Sequence, residues 1–274
     1  MRITLVSDLH IDINNEILNE HSFGFIDNLK QTDVLLIAGD TCGDAIKTKE
    51  FMEALEKKLS RRKNIKVYFT TGNHEPYDYD VNGLTVKDIN DMLHENFDKS
   101  LNKKVTFLQG EEVELGDYVV FGGILGTDFR LNNTPEYMMR TIPSMINDFR
   151  YCYAGKGKLR PEYYAKTFDN TKEKLKKVCE KYPDKKIIVF THFAPSGRSV
   201  ADEYKNSLYN PFYASRLDDF IKKYDNIKLW GHGHTHHSFN YKIGKCKILC
   251  KPYGYYFCGE TCLPEKYLGA TIDI

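Results

Sequence analysis

Five short segments join an apolar run to polar residues of one chemical kind. Ile3 to Val6 leads into Ser7-Asp8-Leu9-His10, Val34 to Ala38 into Gly39-Asp40, and Val67 to Thr71 into Gly72-Asn73-His74-Glu75. Ile187 to Phe190 leads into Thr191-His192, and Leu229-Trp230 into Gly231-His232-Gly233-His234. Imidazole, carboxylate and one amide oxygen form a hard-to-borderline donor set suited to divalent manganese, iron, zinc or similar ions, whereas a soft copper site calls for thiolates. Asp8, His10, Asp40, Asn73, His192, His232 and His234 are too many ligands for one ion. They suit two ions about 3.5–4 Å apart that share a carboxylate, with Asp40 the candidate bridge. Taken singly, each segment reads as turn chemistry, a helix cap or a satisfied core histidine. Five of the nine histidines fall within this one pattern, each following an apolar run, and that conjunction points to a common site.

The apolar runs are rich in β-branched and aromatic residues and lack polar alternation, which predicts strands covered on both faces. Helical patterns lie between some of them: Phe51, Met52, Leu55 and Leu59 share one face, as do Leu217, Phe220, Ile221 and Tyr224. The second of these helices is expected to start at Asn210-Pro211, a good cap followed by proline at the first helical position. A third runs from Pro161 to Tyr182, where Pro183 stops it. Residues 104–126 and 238–258 read as further short strands joined by turns. An α/β core with added mixed strands follows, in which groups at the carboxyl ends of strands converge on one crevice. The whole chain, 1–274, reads as one domain, and its least regular stretch, 127–157, is a candidate lid over the site.

The ordered set Asp8-x-His10, Gly39-Asp40, Gly72-Asn73-His74-Glu75, His192 and Gly231-His232-Gly233-His234 resembles the calcineurin-like metallophosphoesterase superfamily over nearly the whole chain. The resemblance implies an α/β fold of two packed mixed β-sheets flanked by helices. It implies that Asp8, His10, Asp40 and His234 hold one divalent ion and Asp40, Asn73, His192 and His232 the other, with manganese first and iron, zinc, nickel or magnesium as alternatives. It also implies hydrolysis of a phosphomonoester or phosphodiester, such as a nucleotide, by a hydroxide shared between the ions. Asn73 and His74 would then meet the substrate, His74 as candidate general acid, with Asp12 and Glu75 expected to orient His10 and His74. Arg198, on the loop after His192, is a candidate for a bidentate phosphate contact. Asp40 is followed by Thr41-Cys42-Gly43-Asp44 in place of the Asp-Arg-Gly of protein serine/threonine phosphatases, which argues against that branch. Asp44 is expected to cap the next helix instead. Thr191-His192-Phe193-Ala194-Pro195-Ser196, Trp230 and Pro252-Tyr253-Gly254-Tyr255 resemble a bacterial and phage group of small metallophosphoesterases.

Composition constrains partners. With 39 basic and 38 acidic side chains the net charge is +1, so no global field draws the chain to nucleic acid or anionic lipid. The basic run Lys57, Lys58, Arg61, Arg62 and Lys63 reads as the solvated end of a helix. A nuclease of the same superfamily and a non-catalytic scaffold with a metal site are the competing readings, and a small phosphate ester is the expected partner. No apolar run approaches the ~20 residues of a membrane span, and a cytoplasmic protein with reduced cysteines is expected. Cys246, Cys250, Cys258 and Cys262 cluster, but a zinc ribbon wants pairs two residues apart, so buried or strand-facing thiols are expected there.

Overall fold

The protein is described by a computed structural model at residues 1–14, 23–62, 64–77, 83–101 and 103–274; Lys63, at the end of the basic run, lies outside these. Arg2–Val6 (β1), Val34–Ala38 (β2), Lys66–Thr70 (β3) and Val105–Phe107 (β4) run parallel in one sheet. Glu111–Leu115 (β5) and Tyr118–Gly123 (β6) form a hairpin at the edge of a second sheet, and Tyr153–Ala154 (β7) pairs with Gly157–Lys158 (β8) in a small ribbon. The second sheet continues through Lys186–Thr191 (β9) and Ile227–His232 (β10), parallel to β6, and closes with Phe239–Ile243 (β11) and Cys246–Cys250 (β12). Ala270–Asp273 (β13) returns to pair antiparallel with β1. The strand orders are β13-β1-β2-β3-β4 and β11-β12-β10-β9-β6-β5 among the described residues. The resulting architecture is two packed mixed sheets flanked by helices.

Alternation within each strand divides its side chains between two cores. Leu36 and Ala38 of β2, Val120 of β6, Phe190 of β9 and Leu229 of β10 pack between the sheets. Leu35 and Ile37 point the other way, against Ala45–Leu59 and Val86–Phe97, and Val189 and Trp230 against Pro161–Lys181. Asp44 caps Ala45–Leu59 by accepting from the amides of Ile46 at 2.7 Å and Lys47 at 3.2 Å, as its position after Gly43 suggests. Val86–Phe97 carries a full capping box, Thr85 with Asp88, and has no counterpart in the sequence reading.

The helix expected from Asn210 forms as two pieces, Asn210–Tyr213 and Asp218–Lys223. Between them the amides of Ser215 and Leu217 donate to the carbonyls of Ala194 and Pro195 at 3.0 and 2.9 Å, so the loop after β9 takes the bonds that a continuous helix would use. Cys246 and Cys250 are buried on β12 and Cys258 and Cys262 are exposed; no group of metal-binding side chains among the described residues includes a cysteine. No helix among the described residues is long and apolar enough to cross a membrane.

Phe190 is fully buried between the sheets, one residue from the turn that carries His192. Phe190→Ala is expected to lower unfolding stability by about 3–5 kcal/mol through the cavity it leaves. A urea midpoint equal to the parent's would show that the sheets do not pack through this ring.

Candidate active site

Asp8, His10, Asp40, Asn73, His192 and His234 come together at the carboxyl ends of β1, β2, β3, β9 and β10, and all are buried. Three overlapping groups of donor atoms form there: Asp8, His10 and His236; His10, Asp40 and His74; and Asp40, His192 and His234. His236, absent from the sequence reading, is therefore in the cluster, and His232 is not. β10 runs two residues past Trp230, with His232 paired to Cys250, so the turn begins only at Gly233. On that strand His232 faces away from the other sheet. Its Nδ1–H donates to the Gly233 carbonyl at 2.9 Å and its Nε2 accepts from Ser199 Oγ at 2.8 Å, which uses both nitrogens. The placement of His232 on the second ion is corrected accordingly.

Glycine is required where the loops meet. A Cβ on Gly72 would lie 2.1 Å from Asp40 Oδ1, and one on Gly233 would lie 2.6 Å from Asp8 Oδ2. The carboxylates in turn tie the loops to one another: Asp8 Oδ1 accepts from the amide of His234 and Asp40 Oδ1 from that of His74, both at 2.9 Å. Glu75 does not orient His74, as had been expected. It is fully buried and accepts from the amides of Asp40, Thr41 and Gly72 at 3.2, 2.8 and 2.6 Å, so it shapes the backbone under Asp40. Burial, and next the charge of Asp40, push its carboxyl up to about 8, against the pull of those amides. Asp12 does not orient His10 either, since neither its Oδ1 nor His10 Nδ1 has a hydrogen-bond partner.

The convergence of acceptors tests whether the residues suit metal ions. His192 Nδ1 donates to the Ala38 carbonyl at 2.9 Å, so Nε2 is the nitrogen turned toward the cluster. That Nε2 lies 2.9 Å from Asn73 Oδ1 and 3.2 Å from Asp40 Oδ2. His236 repeats the arrangement: Nδ1–H donates to Glu260 at 2.7 Å, and Nε2 meets His10 Nε2 at 3.1 Å and Asp8 Oδ1 at 3.6 Å. His234 Nε2 is buried with no hydrogen-bond partner at all. Nitrogen and oxygen atoms converging in a buried space call for positive charge, a proton or a metal ion, between them. The same demand appears in the electrostatics: burial opposes a charge on His192, yet Asp40 draws its pKa up to about 9. Burial would raise Asp40, but His192 and His74 hold it well below the carboxylate range. Burial keeps His10 and His234 neutral by lowering them well below the usual imidazole value, as a metal ligand requires. The donor set fits divalent cations.

One carboxylate outside the pattern organises the set. Asp148 is fully buried and accepts from Asn73 Nδ2 at 3.0 Å, Tyr77 OH at 2.5 Å and Tyr164 OH at 2.7 Å. The first bond turns the oxygen of Asn73 toward His192, and Tyr77 stacks on the His74 ring at 4.3 Å. Asp148 belongs to the 127–157 stretch, where no periodicity marks it out. Arg198 is not at the site: its guanidinium stacks on Tyr241 at 4.4 Å and donates to the Lys242 carbonyl at 2.7 Å. That cation–π contact and hydrogen bond hold it on β11, which corrects the expectation of a phosphate contact.

The calcineurin-like phosphoesterase family model matches residues 1–238. The chain belongs to this family. As a calcineurin-like phosphoesterase it is a phosphoric ester hydrolase dependent on divalent metal ions, for which the aspartate and histidine groups supply donors. It is similar to an uncharacterized protein of Acanthamoeba polyphaga mimivirus, 25% identical over 281 residues that cover 96% of this chain and 94% of the relative. Among solved structures, the phosphopantetheinyl hydrolase of Mycobacterium tuberculosis superposes with a TM-score of 0.67 at 16% identity, covering 92% of this phosphoesterase and 89% of that chain. A dimetal phosphatase from Danio rerio gives a TM-score of 0.49 at 9% identity over 91% and 86% of the two chains.

Asp148→Asn keeps the size of the side chain but turns one of the two oxygens that meet Asn73, Tyr77 and Tyr164 into a donor. Titration calorimetry with Mn²⁺ is expected to show affinity lower by roughly 10–100-fold, as for other residues that hold a metal ligand in place. Parent-like affinity would mean that Asn73 needs no such support.

Proposed function

We propose that the chain hydrolyses a small phosphate ester with two divalent ions, manganese first among those to test. Asp8, His10, Asp40 and His236 would hold one ion and Asp40, Asn73, His192 and His234 the other. The observation that carries this reading is the placement of Asp40 Oδ2, 3.2 Å from His192 Nε2 and 3.8 Å from His10 Nε2, within reach of both sets. Bound there, the ions would make a water acidic enough to attack at neutral pH and offset charge on the phosphoryl oxygens.

The protein's own groups supply the rest. His74 Nε2 stands 4.0 Å from Asp40 Oδ2, its side chain 14% exposed toward the cleft and its ring braced by Tyr77. From there it is placed to hand a proton to the leaving oxygen, a transfer that contributes about 10²–10⁴ in rate. A nuclease reading loses support at the same place. No lysine or arginine is found among the described residues lining the cleft, whereas a nucleic-acid backbone is held by such groups.

Two experiments test the assignment. Exhaustive chelation is expected to abolish hydrolysis of an aryl phosphate ester and Mn²⁺ to restore it; by metal analysis His236→Ala should lose an ion that His232→Ala keeps. The reverse order would return the second ion to His232. His74→Asn should retain both ions while kcat falls by roughly 10²–10⁴ for an ester with a poorly acidic leaving alcohol, and much less for a nitrophenyl ester. Equal losses on the two esters would make His74 a positioning group and not the acid.

A further inference from the structure

Above the histidines lies a cleft of about 470 Å³, within the usual range of small-molecule sites. Its lining takes in Met145 and Ile146 from one irregular segment and Tyr204 and Tyr209 from another. Met145 and Tyr204 are each 52% exposed and Tyr209 36%, so large apolar side chains gather at the mouth of a concave site. Soluble surfaces tolerate such residues singly; grouped around a pocket they mark a surface meant to be covered. Because these side chains line one cleft with Asp40, Asn73 and His74, the occupant that covers them must reach the reacting centre.

The charges of the cleft describe that occupant further. Beyond the histidines, its titratable lining consists of Asp40, Asp148 and Glu260 together with tyrosines, and no guanidinium or ammonium group is among the described lining residues. Lys205, near the mouth, pairs with Asp202 at 2.7 Å, and Glu203 and Glu260 accept from His237 and His236 at 2.9 and 2.7 Å. A second negative charge carried away from the metal-binding groups would meet no lysine or arginine among the described lining residues, while Asp148, Glu260 and the tyrosine rings lie along the cleft.

We propose that this slot receives a flat, apolar substituent of a phosphodiester monoanion, in contact with Met145, Tyr204 and Tyr209. The inference rests on the phosphoester reading above. A diester brings one negative charge to the centre and has a second organic arm that needs a place to lie. A monoester dianion or polyphosphate brings additional charge, for which the described lining residues offer no lysine or arginine.

The test uses phosphinates, whose P–C bonds cannot be hydrolysed, so that binding is read apart from turnover. Titration calorimetry on the Mn²⁺-loaded protein should show diphenylphosphinate binding about tenfold more tightly than dimethylphosphinate, the gain expected from ring contacts. Phenylphosphonate, a dianion with one ring, should bind no more tightly than diphenylphosphinate. Tyr204→Ala and Tyr209→Ala, at exposed positions where folding is not at stake, should each narrow the diphenyl-to-dimethyl ratio. Equal affinities for the two phosphinates, no measurable binding of either, a preference for the dianion, or a ratio untouched by both variants would overturn the proposal. If the ranking holds while no phosphate ester is turned over, the slot stands and the hydrolytic assignment falls.

Discussion

The site depends on a backbone constraint. Asp8, His10, Asp40, His234 and His236 all adopt the left-handed conformation, with φ of 52°, 43°, 52°, 68° and 51°. For residues with a Cβ this conformation costs about 1–2 kcal/mol each, so five of them concentrate strain at the ends of three strands. The return is directional. A strand alternates its side chains between two cores, and a left-handed residue just past its end swings a side chain away from both, toward the space above the sheet edges. Hydrogen bonds between loops hold the strained turns: the amide of Asp8 donates to the Gly39 carbonyl at 3.0 Å, that of His10 to Asp40 at 3.1 Å, and that of Gly233 to His192 at 3.0 Å. Each turn is thus held by a neighbour from another strand.

Electrostatics sets a second condition on the same turns. Burying Asp8, Asp40 and Glu75 together is unfavourable unless positive charge or amide donors meet them. Glu75 is met entirely by amides, whereas each of the two aspartates gives one oxygen to a loop amide. Asp40 keeps its second oxygen for the cluster. Asp148 and Glu260 act one layer out: each accepts from a donor on Asn73 or His236 and so turns the other end of that side chain inward. The metal-binding groups are therefore oriented by carboxylates that do not themselves touch the centre, which explains why a site rich in negative charge can also be well packed.

Much of this was legible in the sequence, for a physical reason. Strands buried on both faces write themselves as unbroken apolar runs, and β2 occupies Val34–Ala38 as read. The polar residues that follow such runs lie at strand ends, and parallel strands bring those ends together. The register of a strand's last residues is less visible. Gly231-His232-Gly233-His234 and Gly233-His234-Thr235-His236 offer the same spacing, and only the pairing of His232 with Cys250 decides that β10 continues past the first. Arg198 was misplaced because a loop position says nothing about which ring the guanidinium will stack on. Asp148 and Glu260 were missed because a residue that orients a ligand carries no spacing signature; its partner is distant in sequence and specified by the fold.

The division between strand ends and irregular segments bears on how specificity can vary in this fold. Tyr77, Tyr213 and Tyr255 each lie against a histidine of the cluster, with centroids at 4.3 Å from His74, 4.8 Å from His234 and 4.6 Å from His10. These inner rings help to set the positions of the imidazoles of the site, so changing one to suit a different substrate also disturbs the centre. Met145, Tyr204 and Tyr209 touch the cleft from its rim, on segments whose backbone bonds are local turns and not ladder pairs. Substitution there alters what the cleft accepts while leaving the strained strand-end turns intact. Selection for a new ester should therefore act first on the rim, because the inner rings answer to the metal site before they answer to the substrate.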